Sequence, residues 1–488
     1  MAYDVDLLVL GGGAAGLTAA GTAANLGAKT MMVERDRLGG DCTWTGCVPS
    51  KTLLHAAARR AQAADYLARF APGAELPPVD FQAVMADVHQ TRQKVYHDAD
   101  RPEIFQDFGI EVVSADARLS GPHTAQLAAD GREREVTFRL AILATGGRAA
   151  PPSIPGLRDT PYLTNETLFE LTDLPEHLVI VGGGPIGCEM GQAFRRLGSR
   201  VTILDRADHL LGKDDPEHAD RLQGVLEAEG VEIRLGVEIE RVSGTEGAIT
   251  VSASGEAVTG DRLLVATGRT PNLEGLGLDT AGVAWTDTGI TVDDGCRTSV
   301  SHIWAAGDCT GEYALTHMSE HMAKQAATNA VLKIPAPIDR DGITWATYTT
   351  PEVAQLGPTE AELTERGVSF EVYRFPFSKV DRAVTEHAET GQVKILATEW
   401  RGTILGASAV GERAGELISM LAVARKGGVS VRTLSETIIP YPTYGLAVRR
   451  AADQYYVQKQ FPLAIDAIKR VFGYRGDTPP PPDPDRVL

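Results

Sequence analysis

Apolar residues along the chain fall into short runs separated by glycine-rich turns and by stretches of helical character. Val5 to Leu10 is mostly apolar, a glycine cluster follows, then an alanine-rich stretch, then the run Thr30 to Glu34. A brief apolar run bounded by turn residues marks a strand buried on both faces, and its alternation with a helix predicts a βαβ unit of a parallel sheet. The same order returns at Leu178 to Val181, Gly182 to Leu197 and Val201 to Asp205, an internal duplication offset by about 170 residues. Each copy leads on to an apolar strand that closes in the same turn, Ala144-Thr145-Gly146 in the first and Ala266-Thr267-Gly268 in the second.

Prolines punctuate the chain where domains are expected to cross. Pro151, Pro152 and Pro155 mark one crossing, and the stretch Ile334 to Ile343, with Pro335 and Pro337, marks another. From Tyr348 to about Phe472, β-rich runs alternate with helices and the glycine fingerprint is missing, so this third has a different task. Asp477 to Leu488 holds five prolines among twelve positions without apolar periodicity, and a disordered tail is expected there.

Length and charge narrow the picture. A chain of 488 residues is too long for one core, so two to four domains are expected. The net charge of −18 is spread along the sequence, which argues against a nucleic-acid partner. No apolar run approaches the roughly 20 residues that a bilayer demands, and the amino terminus lacks a charged lead before its apolar stretch. No membrane contact and a cytoplasmic location are therefore expected. Five cysteines, Cys42, Cys47, Cys188, Cys296 and Cys309, are too few for a secreted disulfide framework, so any disulfide should be chemical.

Gly11, Gly13 and Gly16 form a GxGxxG between a strand and a helix, where backbone N–H groups and a helix N-terminus can receive a pyrophosphate. Glu34 closes the next strand, where a ribose hydroxyl would sit. Gly182, Gly184 and Gly187 repeat the pattern, with Asp205 in the place of Glu34. Two such sites imply two dinucleotides. An acid at Asp205 accepts from a free 2′-hydroxyl and repels a 2′-phosphate, so NADH is favoured over NADPH, a preference that the neighbouring Arg206 weakens.

The segment Gly39-Gly40-Asp41-Cys42-Thr43-Trp44-Thr45-Gly46-Cys47-Val48-Pro49-Ser50-Lys51 carries the chemistry. Cysteines at this spacing cannot share a helical face, but a turn through Gly46 can bring them within bonding distance. Pro49 suits the first turn of a helix beginning near Cys47, and a thiolate there faces the positive end of the helix dipole.

This stretch resembles the GGTCxNxGCxPSK signature of the class I pyridine nucleotide-disulfide oxidoreductases, a family that includes lipoamide dehydrogenase, glutathione reductase and mercuric reductase. The resemblance spans Asp4 to about Gln458. It implies an α/β fold of two Rossmann-like dinucleotide-binding domains plus an α+β C-terminal dimerisation domain. The implied division is residues 1–151 and 276–340 for FAD, 152–275 for NAD(P), 341–473 for dimerisation and 474–488 for the tail. By resemblance, Cys47 is the flavin-facing thiolate and Cys42 the interchange thiol, while Lys51 reaches flavin N5 and pairs with Glu189. The resemblance also sets Ala115 against the adenine, Ala144, Thr145 and Gly146 at a cofactor-binding strand end with Gly268 its counterpart, and Asp308 on the ribityl chain. His317 supports the cofactor. Thr350-Pro351-Glu352-Val353-Ala354 resembles the start of the dimerisation domain, which implies a homodimer whose active sites are each completed by the partner's C-terminal segment.

Near the C-terminus the pattern breaks. Where the family carries His-Pro-Thr-x-x-Glu, a base and its orienting acid, this chain reads Tyr441-Pro442-Thr443-Tyr444-Gly445-Leu446, and no histidine follows His387. A tyrosine there resembles mercuric reductase, but Cys309 is the last cysteine, so the C-terminal thiol pair of that enzyme is missing. Catalysis is expected to rest on Cys42, Cys47, Lys51, Glu189 and Tyr441, with no metal site of its own. The expected acceptor is a soft metal ion or a small-molecule disulfide. A diaphorase passing electrons from flavin to quinones is the alternative, as is a lipoamide-dehydrogenase-like subunit of a larger complex.

Overall fold

A computed structural model of the chain describes residues 3–457 and 461–477. Most of the stretch expected to be disordered, 478–488, lies outside the described residues; Tyr474 to Asp477 forms no regular element. The chain divides into two compact units. One comprises Met1–Gly182, Arg196–Arg200 and Ile239–Ile338, the other Gly183–Arg195, Val201–Glu238 and the chain from Asp339 on. No helix among the described residues is long and apolar enough to cross a membrane.

The first unit is built on a mixed sheet whose parallel part runs in the order Glu111–Ser114, Thr30–Glu34, Val5–Leu10, Arg132–Leu143, Ile303–Ala305. Leu7, Leu8, Val9, Ala141, Ile142 and Leu143 are all but inaccessible, as their continuous apolar runs require of strands covered on both faces. The first half of Arg132–Leu143 leaves the parallel part and pairs antiparallel with Thr124–Ala129, which pairs with Asp116–Gly121. Small residues let two helices close on one another: Ala15, Ala19, Ala20 and Ala23 of Ala14–Asn25 are buried, as are Ala323, Ala326, Ala327 and Ala330 of Thr316–Leu332. In the same unit His177–Val181 pairs in parallel with Arg262–Val265, the strand-pairing expected of the second dinucleotide fold.

The second unit holds the parallel pairing of Thr202, Ile203 and Leu204 with Glu232, Ile233 and Arg234, and a five-stranded antiparallel sheet ordered Thr344–Thr347, Glu352–Leu356, Ile404–Gly411, Gln392–Ala397, Glu371–Pro376. Ala414–Lys426 and Gly445–Tyr455 contribute Leu417, Leu421, Ala447 and Tyr455 to the core of this sheet. Within it Lys394 is buried. Its Nζ lies 2.7 Å from Asp215 Oδ2, 2.8 Å from Glu360 Oε1 and 3.1 Å from Glu217 Oε2. Asp215 also caps the helix Pro216–Ala228, accepting from Glu217 N.

Candidate active site

Parallel strands end on a common edge, and ligands of α/β sheets gather beyond the carboxyl ends of the strands. In the first unit that edge collects the residues expected to bind one dinucleotide. Gly11 follows Val5–Leu10, Glu34 ends Thr30–Glu34, and Ala115 follows Glu111–Ser114. Ala144-Thr145-Gly146 follows Arg132–Leu143, and Asp308 lies just past Ile303–Ala305. A Cβ on Gly11 would stand 2.2 Å from Ala144 O, and one on Gly16 would stand 1.8 Å from Gly11 O, so both positions demand glycine. Gly13 differs: only Gly40 Cα comes near, at 3.7 Å, which leaves room for a ligand above the helix N-terminus.

The acid at the end of each second strand is locked in the same way. Glu34 Oε2 accepts from Gly12 N at 2.6 Å and Oε1 from Asp36 N at 2.9 Å. In the second unit Asp205 Oδ2 accepts from Gly183 N, and Oδ1 accepts from Ala207 N at 2.8 Å. A carboxylate has about four acceptor sites, so each acid keeps lone pairs for ribose hydroxyls. The middle position of both fingerprints is crowded, because a Cβ on Gly12 would stand 2.3 Å from Leu38 Cδ2 and 3.0 Å from Glu34 Cβ, and one on Gly183 would stand 2.7 Å from Leu210 Cδ2 and 3.1 Å from Asp205 Oδ2. Gly184 has nothing within 4 Å, an open cradle matching that at Gly13. The donor sets and the open space fit two dinucleotides.

Cys42 sits in the short helix Gly40–Trp44, and Cys47 opens the long helix Cys47–Phe70 with Pro49 in its first turn. Gly46 makes the turn between them, and a Cβ there would meet Asp41 O at 2.8 Å. The two cysteines are half-buried and hydrogen-bonded to each other. That bond, then burial, then the charge of Cys47 push the Cys42 thiol well above its ordinary value. The pair therefore takes on a second negative charge far less readily than a first.

Several groups around the thiols escaped sequence reasoning. Thr316, the first residue of the helix Thr316–Leu332, places Oγ1 3.3 Å from Cys47 Sγ, and its hydroxyl opposes the upward push on the Cys42 thiol. Glu320, one turn on, adds its charge to the upward push on Cys42. Asp41, where the family signature has threonine, pairs with Arg269, whose Nε also lies 3.1 Å from Asp308 Oδ2. Burial pushes Asp308 up, and Arg269 opposes it. Behind Cys42, the buried Asp100 accepts from Thr43 Oγ1 at 2.6 Å. No spacing rule finds Thr316, Glu320, Arg269 or Asp100, because each reaches the redox turn from a distant segment.

Lys51 is half-buried in the redox helix, and His317 is exposed at the start of Thr316–Leu332. Thr145 Oγ1 donates to Asn272 O, and Gly268 O accepts from Ala150 N. Gly187 lies in the fingerprint helix Pro185–Leu197. Glu189 is buried in the second unit and accepts from Tyr348 N at 2.9 Å. Tyr441, in the same unit, is 71% exposed and donates to Asp381 Oδ2 at 2.8 Å, a bond that raises its pKa. Cys188, Cys296 and Cys309 are fully buried, as small packed residues should be, and burial pushes Cys309 up to about 11. His55 is exposed on the redox helix, 3.4 Å from Arg59 Nε.

Residues 5–323 match the family described as pyridine nucleotide-disulphide oxidoreductase, and residues 343–452 match its dimerisation domain. The chain belongs to this family. Membership makes it an enzyme, an FAD- and NAD(P)H-dependent flavoprotein with a redox-active disulfide, and the dimerisation domain fits a homodimer. The chain is 35% identical to mercuric reductase of Streptomyces lividans over 464 residues, covering 92% of itself and 96% of that protein. It is 31% identical to dihydrolipoyl dehydrogenase of Bacillus subtilis, covering 93% of itself and 98% of that protein. Among solved structures this oxidoreductase is similar to LpdA from Mycobacterium tuberculosis, with a TM-score of 0.85 and 28% identity over 92% of this chain and 99% of that one. It is also similar to the Cu(II) complex of the HOCl-induced flavoprotein disulfide reductase RclA from Escherichia coli. The TM-score is 0.81 and the identity 27%, over 93% of this chain and 99% of that one.

Proposed function

We propose that this oxidoreductase carries electrons from NADH through FAD to the Cys42–Cys47 pair and on to a soft metal ion. The observation that carries this reading is an exposed phenol, Tyr441, hydrogen-bonded to a carboxylate at the position where the family keeps an imidazole base. FAD, when bound, supplies the two-electron step between nicotinamide and disulfide. The chain's own residues do the rest. Gly11, Gly13 and Gly16 receive the FAD pyrophosphate, Glu34 its ribose and Asp308 its ribityl chain; Ala115 lies against the adenine. Ala144, Thr145 and Gly146 line the strand end beside it, and His317 supports the flavin. Gly182, Gly184, Gly187 and Asp205 receive the nicotinamide cofactor, with Gly268 beside them. Cys47 faces the flavin with Lys51, which pairs with Glu189, and Cys42 meets the acceptor. Residues 1–151 and 276–340 bind FAD, 152–275 bind NAD(P) and 341–473 form the dimer.

The balance is simple. The oxidised pair takes two electrons and two protons to become two thiols. In the second half the thiols lose two protons, their S–S bond forms, and the two electrons pass to one divalent cation or singly to two. Relatives named mercuric reductase, and the copper complex of RclA, support a metal acceptor.

Rapid mixing tests the reading: enzyme reduced by NADH is oxidised by mercuric ion, cupric ion, disulfides or menadione. Fastest reoxidation by a metal ion is expected, lost when Cys42 and Cys47 are both changed to alanine. Quinone reduction that outpaces the metals and survives that change would make the chain a diaphorase.

The nicotinamide preference follows from Asp205. A hydrogen bond to a charged group is worth about 1.5–3 kcal/mol, so kcat/KM for NADH should exceed that for NADPH by at least about tenfold. Asp205→Ala should narrow the gap. Equal use of NADPH by the wild type would show that Arg206 prevails.

A further inference from the structure

Two tyrosines of the C-terminal segment each commit their O–H to the six-residue helix Asp381–Glu386: Tyr441 donates to Asp381 Oδ2 and Tyr444 to Glu386 Oε2, both at 2.8 Å. Their surroundings differ. Tyr444 is buried, its ring tilted against Phe377, and Arg382 holds Glu386 in place. That pair fastens the helix to the core. Tyr441 is 71% exposed, so its bond to Asp381 orders a phenol that stands in the open.

A phenol has one proton to donate and lone pairs with which to accept. Once the proton points at a carboxylate, anything else that meets the phenol oxygen must bring a donor or a positive charge. The bond to Asp381 also raises the pKa of Tyr441, so the phenol keeps its proton near neutral pH and stays in this arrangement. Disulfides and quinone carbonyls bring only lone pairs to such an oxygen. A metal cation brings charge, and meets both the phenol oxygen and the carboxylate behind it.

We propose that Asp381 is a positioning residue that makes Tyr441 an acceptor-only group and thereby selects cationic electron acceptors over disulfides and quinones. This rests on the reading that Tyr441 stands at the thiol pair of the partner subunit. The family's own orienting acid would lie five positions on, where this chain has Leu446, whereas Asp381 comes from 60 residues before Tyr441.

The test compares the holoenzyme dimer with Asp381→Asn and Tyr441→Phe, using cupric ion and menadione as acceptors. Asparagine can still accept the phenol proton through its carbonyl and removes only the charge. The ratio of kcat/KM for cupric ion to that for menadione should fall about tenfold in Asp381→Asn, and the salt dependence of the cupric rate should flatten. Loss of packing alone would lower both rates together and leave the ratio and the salt slope in place; that result overturns the proposal. If Tyr441→Phe lowers the ratio and Asp381→Asn does not, Tyr441 keeps its place and Asp381 loses its role. If neither variant moves the ratio, or the wild type turns over no metal cation, the reading of Tyr441 falls with it.

Discussion

Cys47→Ser removes the long-wavelength absorption band that two-electron reduction of the wild type should produce. The band is expected because a thiolate held against oxidised flavin donates charge to it, and the resemblance of the redox segment to its family gives that place to Cys47. Thr316 offers Cys47 a hydroxyl at 3.3 Å, and Cys47 lies in the first turn of a 24-residue helix whose dipole favours negative charge. Serine keeps the size of the side chain and ionises far less readily. Turnover with any acceptor that needs the pair should fall by about 10³-fold or more, the order lost when an enzyme's nucleophile is deleted. Cys42→Ser should behave in the opposite way spectroscopically, because Cys47 can then form no disulfide and its thiolate faces the flavin from the start. A wild type that bleaches directly on reduction, with no long-wavelength band, would remove Cys47 from the flavin face.

The second large effect is a deficit: the wild type should be a poor dihydrolipoamide dehydrogenase. A positioned base contributes roughly 10²- to 10⁴-fold to proton transfer, and this chain has Tyr441 and Leu446 where such a base and its acid would stand. The Tyr441 phenol, with its proton directed at Asp381 and its pKa raised, is a weak acceptor of a thiol proton. Lipoamide turnover should therefore be low at neutral pH and climb as pH rises, because the substrate thiolate then forms unaided. Tyr441→His should restore activity only when Leu446→Glu accompanies it. Turnover of wild type and double variant between pH 6 and 10 decides the matter. A wild type already near ~10 s⁻¹, the median for enzymes, would mean that another group carries the proton.

Much of this architecture was legible in the sequence because it is local. Strand, glycine turn, helix and terminal acid lie within one short stretch, and each acid closes on its own fingerprint through Gly12 N or Gly183 N. The turn at Gly46 and the helix start at Cys47 were legible for the same reason. What stayed hidden is contributed by segments far apart in the chain. Thr316 reaches Cys47 across 269 positions, Arg269 reaches Asp41 across 228, and Asp381 reaches Tyr441 across 60. Hydropathy gives such residues no distinguishing signal, since a polar residue beside a thiol looks like any other on a half-exposed turn. Asp41 alone left a trace, as the acid standing where the family signature has threonine, and its meaning became plain only with Arg269 beside it.

The buried cation at Lys394 bears on how this chain can change over generations. Removing one partner of a buried ion pair costs about 3–5 kcal/mol, because the charge left behind has no water to turn to. Lys394 faces three carboxylates, of which Glu217 and Glu360 are partly exposed and also pair with Arg374, so its loss strands the buried Asp215 above all, while loss of either glutamate leaves the other acids to hold it. The four positions are therefore unequal in their freedom to drift. Glu217 and Glu360 can each be exchanged at moderate cost, whereas Lys394 and Asp215 are tied to one another, and relatives that lack the lysine should lack the aspartate as well.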